Sequence, residues 1–264
     1  MLDLIDIRKT FNTGTINEKK ALQGVTLHLD EGEFCTVIGG NGAGKSTMLN
    51  AVAGVWPVDS GSIVIDGQDV SGLCEHRRAA VLGRVFQDPR TGTATDMTIA
   101  ENLALAARRG RKRTLRAGIR KDELQSFRDQ LALLDLGLED RMTTKVGLLS
   151  GGQRQAVTLL MATLQRPKLL LLDEHTAALD PKTAAKVLAL TEKLVADYHL
   201  TALMVTHNMK DALRCGTRTI MMHDGRIVVD IDAEKKKETR VEDLLKMFER
   251  SSGTALDNDR MLLG

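Results

Sequence analysis

The stretch that decides the fold is GGNGAGKST, residues 39–47, which follows the apolar run FCTVI at 34–38 and precedes the helix-like segment MLNAVA at 48–53. In this order the segments predict a strand, a glycine-rich loop and a helix. Glycines can take positive φ, so successive backbone N–H groups can turn inward at a helix N-terminus, where an anion binds. The stretch therefore predicts a phosphate-binding loop of the GxxxxGK[ST] type.

The side chains of this loop indicate how a nucleotide is held. Lys45 can reach the β- and γ-phosphates, Ser46 offers a hydroxyl to Mg²⁺, and Thr47 can donate to a phosphate from the first helical turn. The predicted nucleotide-binding residues of the loop are Gly39, Asn41, Gly42, Ala43, Gly44, Lys45, Ser46 and Thr47. Because kinases, GTPases, helicases and transport motors all use such a loop, its purpose must come from the rest of the chain.

The composition is that of an ordinary globular chain. Its 264 residues are 42% hydrophobic and 27% charged, and the net charge of +2 is too small to indicate bulk binding of nucleic acid. The N-terminus lacks the basic start and apolar core of a signal peptide, and no apolar run approaches the length of a membrane span. Cys35, Cys74 and Cys215 lie far apart without metal-ligand spacing, so we expect reduced thiols in a cytosolic protein.

Alternating patterns predict an α/β fold. Two-residue periodicity predicts strands at 2–8, 25–29 and 62–66, which indicate a small antiparallel layer beside the loop. Further strands are predicted at 81–86, 168–173, 201–205, 217–221 and 226–230, with short and long helices at 75–80 and 181–198. Strands that alternate with helices indicate a parallel sheet covered on both faces, with ligands at the C-terminal ends of its strands.

The organisation along the chain predicts one domain with an insertion. Helical spacing without strand signals from Thr98 to about Arg166 indicates a helical subdomain, which we place at 91–166. Residues 1–90 and 167–232 then form the nucleotide-binding core with its β layer. The charged tail, 233–264, is expected to contain one helix near 241–248.

The strand LLLLDE, residues 169–174, ends in two carboxylates. Asp173 can hold the Mg²⁺ shell opposite the Ser46 hydroxyl. Glu174, one residue on, can point towards the γ-phosphate and polarise an attacking water as general base. The alternative is a strand that merely ends in solvated acids, and the glycine loop favours the catalytic interpretation.

The segment LSGGQ, residues 149–153, precedes a helix predicted over 154–165. A serine and glycines that expose N–H groups at the positive end of a helix dipole form a second arrangement suited to binding phosphate. One active site rarely needs two such cradles from one chain. We therefore infer that Ser150, Gly151, Gly152 and Gln153 serve the γ-phosphate bound by another copy, although in isolation the segment would be an ordinary helix cap.

In combination these motifs resemble the ATP-binding subunits of ABC transporters, from about Leu2 to Val229. The matching stretches are GGNGAGKST (39–47), VFQDP (85–89), LSGGQRQA (149–156), LLLLDE (169–174), AALD (177–180) and VTH (205–207). Their order and approximate separations fit the family. The resemblance implies a P-loop NTPase (RecA-like) core with an antiparallel β layer and an inserted α-helical subdomain.

The resemblance also implies roles for three further residues. Gln87 links Mg²⁺ and the attacking water to the helical subdomain, Asp180 lies in the loop that communicates across a dimer, and His207 contacts the γ-phosphate. Independently, a histidine at a strand end can donate to a phosphoryl oxygen near neutral pH. Alone, however, His207 would be interpreted as a structural or surface residue.

The family places an aromatic ring under the adenine, between the first two strands. Phe11 is the expected counterpart, and it can stack although it has no hydroxyl. Few other rings are available, since Trp56 and Tyr198 fall in the wrong segments.

Taken together, the expected catalytic residues are Glu174, His207, Gln87 and Lys45, and the expected Mg²⁺ ligands are Ser46, Gln87 and Asp173. The resemblance implies ATP and Mg²⁺ as cofactors and a head-to-tail dimer around two ATP molecules. It also implies a separate membrane permease, a location on the cytoplasmic face of the membrane and no nucleic-acid partner. The alternative is a soluble ABC ATPase with a role such as cofactor assembly.

Two features depart from the family pattern or extend it. His175 stands where proline is usual, in DEHTAALDP, and that pattern together with VFQDP is similar to uptake systems that use an extracytoplasmic binding protein. A basic cluster also lies within the predicted insertion: Arg108, Arg109, Arg111, Lys112, Arg113, Arg116, Arg120 and Lys121. It is open whether this cluster is a solvated loop or contacts the permease or anionic lipid.

Overall fold

A computed structural model describes residues 1–111 and 118–252. The strands, in chain order, are β1 (Leu2–Phe11), β2 (Lys19–Leu29), β3 (Phe34–Gly39), β4 (Ser60–Ile65), β5 (Gln68–Asp69), β6 (Leu82–Val85), β7 (Leu169–Asp173), β8 (Thr201–Val205), β9 (Arg218–His223) and β10 (Arg226–Ile231). The helices are α1 (Lys45–Ala53), α2 (Glu75–Arg78), α3 (Ile99–Ala106), α4 (Lys121–Ala132), α5 (Gly151–Thr163), α6 (Pro181–Asp197), α7 (Met209–Arg214), α8 (Ala233–Glu238) and α9 (Val241–Ser252).

The strands form two sheets of different polarity. A four-stranded sheet in the order β2-β1-β4-β5 is antiparallel throughout. A six-stranded sheet in the order β10-β9-β3-β8-β7-β6 is parallel from β9 to β6, and β10 pairs antiparallel with β9. The predicted α/β class with an antiparallel layer is confirmed.

The parallel sheet sets the position of the functional segments. Strands β3 and β8 are buried along their whole length, as expected where both faces of a sheet are covered. Because β6, β7, β8 and β3 run in the same direction, the segments that follow them leave the sheet at one edge. The glycine loop, Gln87, Glu174 and His207 all lie in those segments.

The main core lies around α1 and joins the two sheets. Leu4 of β1, Leu49 of α1 and Leu171 of β7 are fully buried members of one hydrophobic cluster. The C-terminal end of α1 is held by the buried guanidinium of Arg78, which donates to the carbonyl oxygens of Ala51 at 2.7 Å and Val52 at 2.9 Å. These bonds satisfy carbonyls that a helix end leaves without partners. The C-terminal end of α1, the helix that begins at Lys45, is thereby held in place.

The helical insertion has its own apolar core. Leu103 of α3, Leu131 of α4 and Val157 of α5 are buried together in a second cluster. The first helix begins with a capping box, in which the Thr98 hydroxyl accepts from the Glu101 N–H and the Glu101 carboxylate accepts from the Thr98 N–H. Within the described residues, no helix is long and apolar enough to cross a membrane.

The C-terminal segment differs from the expectation of one helix. Two helices, α8 and α9, follow β10, and Asp232 caps the first by accepting from the N–H groups of Glu234 and Lys235. Leu244 and Phe248 of α9 are buried beside Met209 and Ala212 of α7. The sequence prediction missed α8 because its charged residues show no apolar periodicity.

The buried Lys236 of α8 is expected to make the stability of the fold depend on pH. Its ammonium is buried and donates to the carbonyl oxygen of Cys215 at 2.6 Å. Burial lowers its pKa from 10.5 to about 8. As the pH rises from 8 to 10.5, the folded chain loses this proton before the unfolded chain does, so the contribution of Lys236 to the free energy of unfolding is expected to rise, by on the order of 2 kcal/mol.

Urea unfolding at several pH values in this range measures the effect. Lys236→Met is expected to remove this contribution. Lys235→Met is the matched control, since Lys235 is exposed and pairs with Asp232 at 3.4 Å. If the free energies of unfolding of Lys236→Met and the parent chain changed by the same amount over this range, the assignment would be wrong.

Candidate active site

The glycine loop lies against two strands, β9 at Met222 and β2 at Ala21. Gly39 and Gly44 both have positive φ, of 150° and 101°. A β-carbon on Gly39 would collide with the carbonyl oxygen of Met222, and one on Gly44 would lie 2.6 Å from the carbonyl oxygen of Ala21. Glycine is therefore required at both positions for backbone conformation and for space.

Lys45 lies folded against the loop that precedes it. Its ammonium donates to the carbonyl oxygens of Gly39 at 2.7 Å and Gly40 at 3.1 Å, and the side chain is buried. Burial lowers its pKa, whereas the nearby carboxylates of Glu174 and Asp173 act in the opposite direction. The charge is thus already placed at the loop, where it can meet a phosphate.

Asp173 and Ser46 bring oxygen atoms together at the end of β7. Burial raises the pKa of the Asp173 carboxyl, while Arg84, Lys45 and the nearby Ser46 hydroxyl favour its charged form. The nearest guanidinium nitrogen of Arg84 is 3.8 Å from the carboxylate and also donates to the Asn50 side chain at 2.7 Å. The described residues contain no cluster of three or more His, Cys, Asp and Glu side chains suited to a metal. A hydroxyl and one carboxylate fit Mg²⁺, which takes oxygen ligands and completes its shell with phosphates and water.

Three polar side chains converge after neighbouring strands. The Gln87 amide donates to the Glu174 carboxylate at 3.3 Å, and Nδ1 of His207 lies 3.8 Å from the same carboxylate oxygen. The His207 interaction lowers the pKa of Glu174 against the effect of burial, and Glu174 raises the pKa of His207. Glu174 is therefore ionised at neutral pH and available as a proton acceptor.

The LSGGQ segment forms a capped helix start at a separate place. The Ser150 hydroxyl accepts from the Gln153 N–H at 3.3 Å, and the Gln153 side chain accepts from the Ser150 N–H at 3.2 Å. This capping box explains why α5 begins at Gly151, three residues before the predicted start. Ser150 and Gly151 are exposed. In the described part of the chain, no hydrogen bond or ion pair joins residues 150–153 to residues 39–47.

Asp180 lies next to this helix start. Its carboxylate caps α6 by accepting from the Thr183 N–H at 3.1 Å. The preceding residue, Leu179, packs beside Gly151, where a β-carbon would lie 3.3 Å from the Leu179 side chain. The predicted dimer-communication residue and the LSGGQ segment are therefore on one surface.

Comparison with known proteins identifies the family. A family model described as ABC transporter matches residues 22–177. The chain belongs to the ABC transporter family. The family assignment predicted from the sequence motifs is thereby confirmed, and the chain is an ABC ATPase.

Relatives and solved structures agree with this assignment. The chain is 41% identical over 249 residues to a tyrosine transport ATP-binding protein of Clostridioides difficile (strain R20291), covering 94% of this chain and 99% of that protein. It is 33% identical over 271 residues to a phosphonates import ATP-binding protein of Alcaligenes faecalis, covering 98% and 95%. A dimeric, post-hydrolysis structure of the ATP-binding cassette MJ0796 bound to ADP and Pi matches with a TM-score of 0.75 at 30% identity, covering 88% of this chain and 99% of that one.

In this ABC ATPase, Trp56 lies beside Phe11, the predicted adenine-stacking ring, although the two residues belong to different segments of the sequence. Its indole packs edge-on against Phe11, with ring centroids 4.9 Å apart and an interplanar angle of 79°. The contact arises because Ser60, at the start of β4, pairs with Arg8 of β1 and brings the preceding segment to the end of that strand. Tyr198 instead packs near Arg166. Local sequence patterns contain no signal for the Phe11–Trp56 pair.

His175 of the ABC ATPase is a buried structural residue. Its Nε2 is 3.0 Å from the Thr191 hydroxyl, which itself donates to the Val187 carbonyl oxygen at 2.9 Å. The imidazole is therefore the donor to Thr191. Burial lowers the pKa of His175 to about 4, so the ring is neutral at physiological pH. The bond ties the turn after Glu174 to α6.

Part of the basic cluster is engaged within the chain. Arg108 pairs with Glu123 at 2.9 Å, Arg120 pairs with Asp122 at 2.9 Å, and Arg109 donates to the carbonyl oxygen of Ala162 at 3.0 Å. These contacts stabilise the helical insertion. Lys112, Arg113 and Arg116 lie outside the described residues.

A side chain added at Gly152 of the ABC ATPase is expected to destabilise the fold by a steric clash. A β-carbon at this buried position would collide with Cγ2 of Thr183 on α6. Gly152→Ala is expected to destabilise the fold by about 1–3 kcal/mol in chemical unfolding, since overpacking forces neighbours to move. Thr183→Ser, which removes the offending methyl group, is expected to recover most of that loss in the double variant.

Gly151→Ala is the matched control for this prediction. Its new methyl group would meet only the flexible end of Leu179, at 3.3 Å. We expect a smaller change than for Gly152→Ala. If Gly152→Ala and the double variant with Thr183→Ser lost the same free energy of unfolding, the contact with Thr183 would not account for the effect.

Proposed function

We propose that this ABC ATPase is the motor subunit of an import system, in which two copies close head to tail around two ATP molecules and drive a separate membrane permease. The observation that carries the proposal is the separation of the two anion-binding helix starts. The phosphate loop begins α1 and the exposed LSGGQ segment begins α5, without a hydrogen bond between them in the described chain. A second copy can complete the site that one chain leaves open.

The phosphate loop holds the nucleotide in this proposal. Backbone N–H groups at Gly39, Asn41, Gly42, Ala43 and Gly44 surround the phosphates, and Thr47 donates from the first turn of α1. Phe11 stacks under the adenine, with Trp56 packed against its edge. The partner copy adds Ser150, Gly151, Gly152 and Gln153 at the γ-phosphate, and Asp180 lies at the interface.

Hydrolysis depends on the three side chains that converge at Glu174. Glu174 accepts a proton from the water that attacks the γ-phosphate, while His207 donates to an oxygen of that phosphate and Gln87 orients the carboxylate. Ser46, Asp173 and Gln87 would hold Mg²⁺, which neutralises phosphate charge when bound. Lys45 supplies a further positive charge from the loop.

The proposed output is motion of the helical insertion. The Gln155 amide of α5 donates to the carbonyl oxygen of Phe86 at 3.4 Å, immediately before Gln87. A change at Gln87 can thus reach α5 through this backbone contact. Since α5 packs with α3 and α4 in one cluster and with β6 and β7 in another, it connects the core to the insertion, which is proposed to move against a permease.

The proposed transport direction is import of a small solute. The direction is supported by a relative whose name describes phosphonate import, and the small solute by that relative and by one whose name describes tyrosine transport. We place the subunit on the cytoplasmic face of the membrane, bound to the permease, which in turn receives solute from an extracytoplasmic binding protein. Substrate choice would then reside in the permease and binding protein, and nucleic acid has no part in the cycle.

Co-purification tests this proposal directly. The tagged chain is isolated from detergent-solubilised membranes of its own cells, and bound integral membrane proteins are identified by mass spectrometry. We expect a permease to be recovered consistently. Recovery of soluble partners with no integral membrane protein would contradict the proposal and favour the soluble ABC ATPase considered above.

A further inference from the structure

The start of β2 lies directly against the phosphate loop. The Ala21 carbonyl oxygen and the Leu22 side chain are 2.6 Å and 3.3 Å from the position that a β-carbon on Gly44 would occupy. The Gln23 N–H donates to the Gly225 carbonyl oxygen at 2.8 Å, and the Gly225 N–H donates to Ala43 of the loop at 3.0 Å. The first residues of β2 therefore have a defined place beside the loop.

Lys19, the first residue of β2, carries a positive charge to the rim of this loop. Its ammonium nitrogen lies 3.4 Å from the position of a β-carbon on Gly42. In the β1–β2 ladder, Lys19 stands opposite Phe11. The side chain thus spans the interval between the aromatic ring and the glycine loop.

Among the residues that the structure describes, the Lys19 ammonium has no protein partner. Over residues 1–111 and 118–252, it takes part in no hydrogen bond or ion pair. The adjacent carboxylate is engaged elsewhere, since Glu18 accepts from the Gly14 N–H at 2.9 Å. An exposed cation beside an anion-binding loop is therefore available to a ligand.

We propose that Lys19 binds the phosphate chain of the nucleotide, as a second cation besides Lys45. This proposal rests on the proposed function, because it takes the adenine to lie on Phe11 and the phosphates to lie in the loop. A nucleotide held at both places passes the Lys19 ammonium, which is a compact charge suited to phosphate oxygens. The first strand pair of the antiparallel sheet then contributes to phosphate binding as well as to stacking of the base.

The neighbouring residue offers a matched control. Lys20 stands opposite Thr10 in the ladder and is also exposed. Successive side chains of a strand point to opposite faces, so Lys20 points away from the loop. Lys19→Met and Lys20→Met remove the same charge from adjacent positions, and only the first is expected to affect the nucleotide.

The test compares the dissociation constants of ATP, ADP and adenosine, measured by competition with a fluorescent ATP analogue. Lys19→Met is expected to weaken ATP and ADP binding about fivefold, as for a partly exposed ion pair, and to leave adenosine binding unchanged. Lys19→Arg, which keeps the charge, is expected to bind ATP within about twofold of the parent chain. Lys20→Met is expected to bind all three ligands normally. Equal melting temperatures verify that the variants are folded.

Distinct outcomes overturn distinct claims. Unchanged ATP affinity in Lys19→Met, with normal ATP binding by the parent chain, would overturn the role of Lys19 and leave the proposed function standing. An equal loss for adenosine, or an equal loss in Lys20→Met, would also overturn it, because the effect would then not depend on phosphate or on this position. Failure of the parent chain to bind ATP would overturn the proposed function itself.

Discussion

Glu174→Gln is expected to lower the ATP turnover number at least a hundredfold while ATP binding stays close to that of the parent chain. The amide keeps the size of the side chain and its place beside Gln87 and His207, 3.3 and 3.8 Å from the carboxylate oxygen, but it cannot accept a proton from water. General base catalysis contributes about 10²–10⁴-fold to rates of this kind. The pKa of Glu174 is held below its ordinary value by His207, so the parent side chain is ionised at neutral pH. The substitution therefore removes a carboxylate that can act as a base at that pH.

Phosphate release and nucleotide titration together measure this effect. With hydrolysis arrested, ATP is also expected to hold two copies together, which size-exclusion chromatography with and without ATP detects. Glu31→Gln is the control, since Glu31 is exposed and precedes β3 at the end of the strand opposite the glycine loop. Turnover by Glu174→Gln at the rate of the parent chain would refute the assigned role.

Lys45→Ala is expected to weaken ATP binding itself, by at least about tenfold. A hydrogen bond to a charged group contributes about 1.5–3 kcal/mol, and 1.4 kcal/mol corresponds to a factor of ten in the dissociation constant. The ammonium already lies at the loop, bonded to Gly39 and Gly40, so the side chain needs little reorganisation to meet a phosphate. Binding is therefore expected to suffer before any chemical step is considered.

The control for Lys45→Ala must separate binding from folding. Removing the side chain leaves the carbonyl oxygens of Gly39 and Gly40 without this donor, so the melting temperature is measured alongside the dissociation constant. Lys20→Ala removes a lysine from the exposed face of β2 and is expected to bind ATP normally. An undiminished affinity of folded Lys45→Ala for ATP would show that this lysine does not hold the phosphates.

The two variants are expected to fail in different ways. Glu174→Gln retains affinity and loses turnover, whereas Lys45→Ala loses affinity first. This contrast separates a residue that acts in the transition state from one that also stabilises the bound ground state. A shared pattern in both variants would indicate that one of them acts through the fold of the loop.

Much of the fold was predictable because its signals are local. The glycine loop between an apolar strand and a helix, and the run of leucines ending at Asp173, each specify backbone conformation within about ten residues. Element ends were predicted less well. Strand β1 continues to Phe11 and β2 begins at Lys19 because backbone pairing extends through polar residues whose pattern does not indicate a strand.

The sequence by itself determined which groups can bind phosphate or accept a proton, since these properties belong to residue types and to short backbone segments. Tertiary structure decided which groups meet. Gln87, Glu174 and His207 converge because β6, β7 and β8 are neighbouring parallel strands, and Trp56 reaches Phe11 because β4 pairs with β1. Lys19 reaches the loop at Gly42 through the placement of β2 beside it. These contacts join segments distant in the chain, so they depend on strand order and packing, which no local pattern encodes.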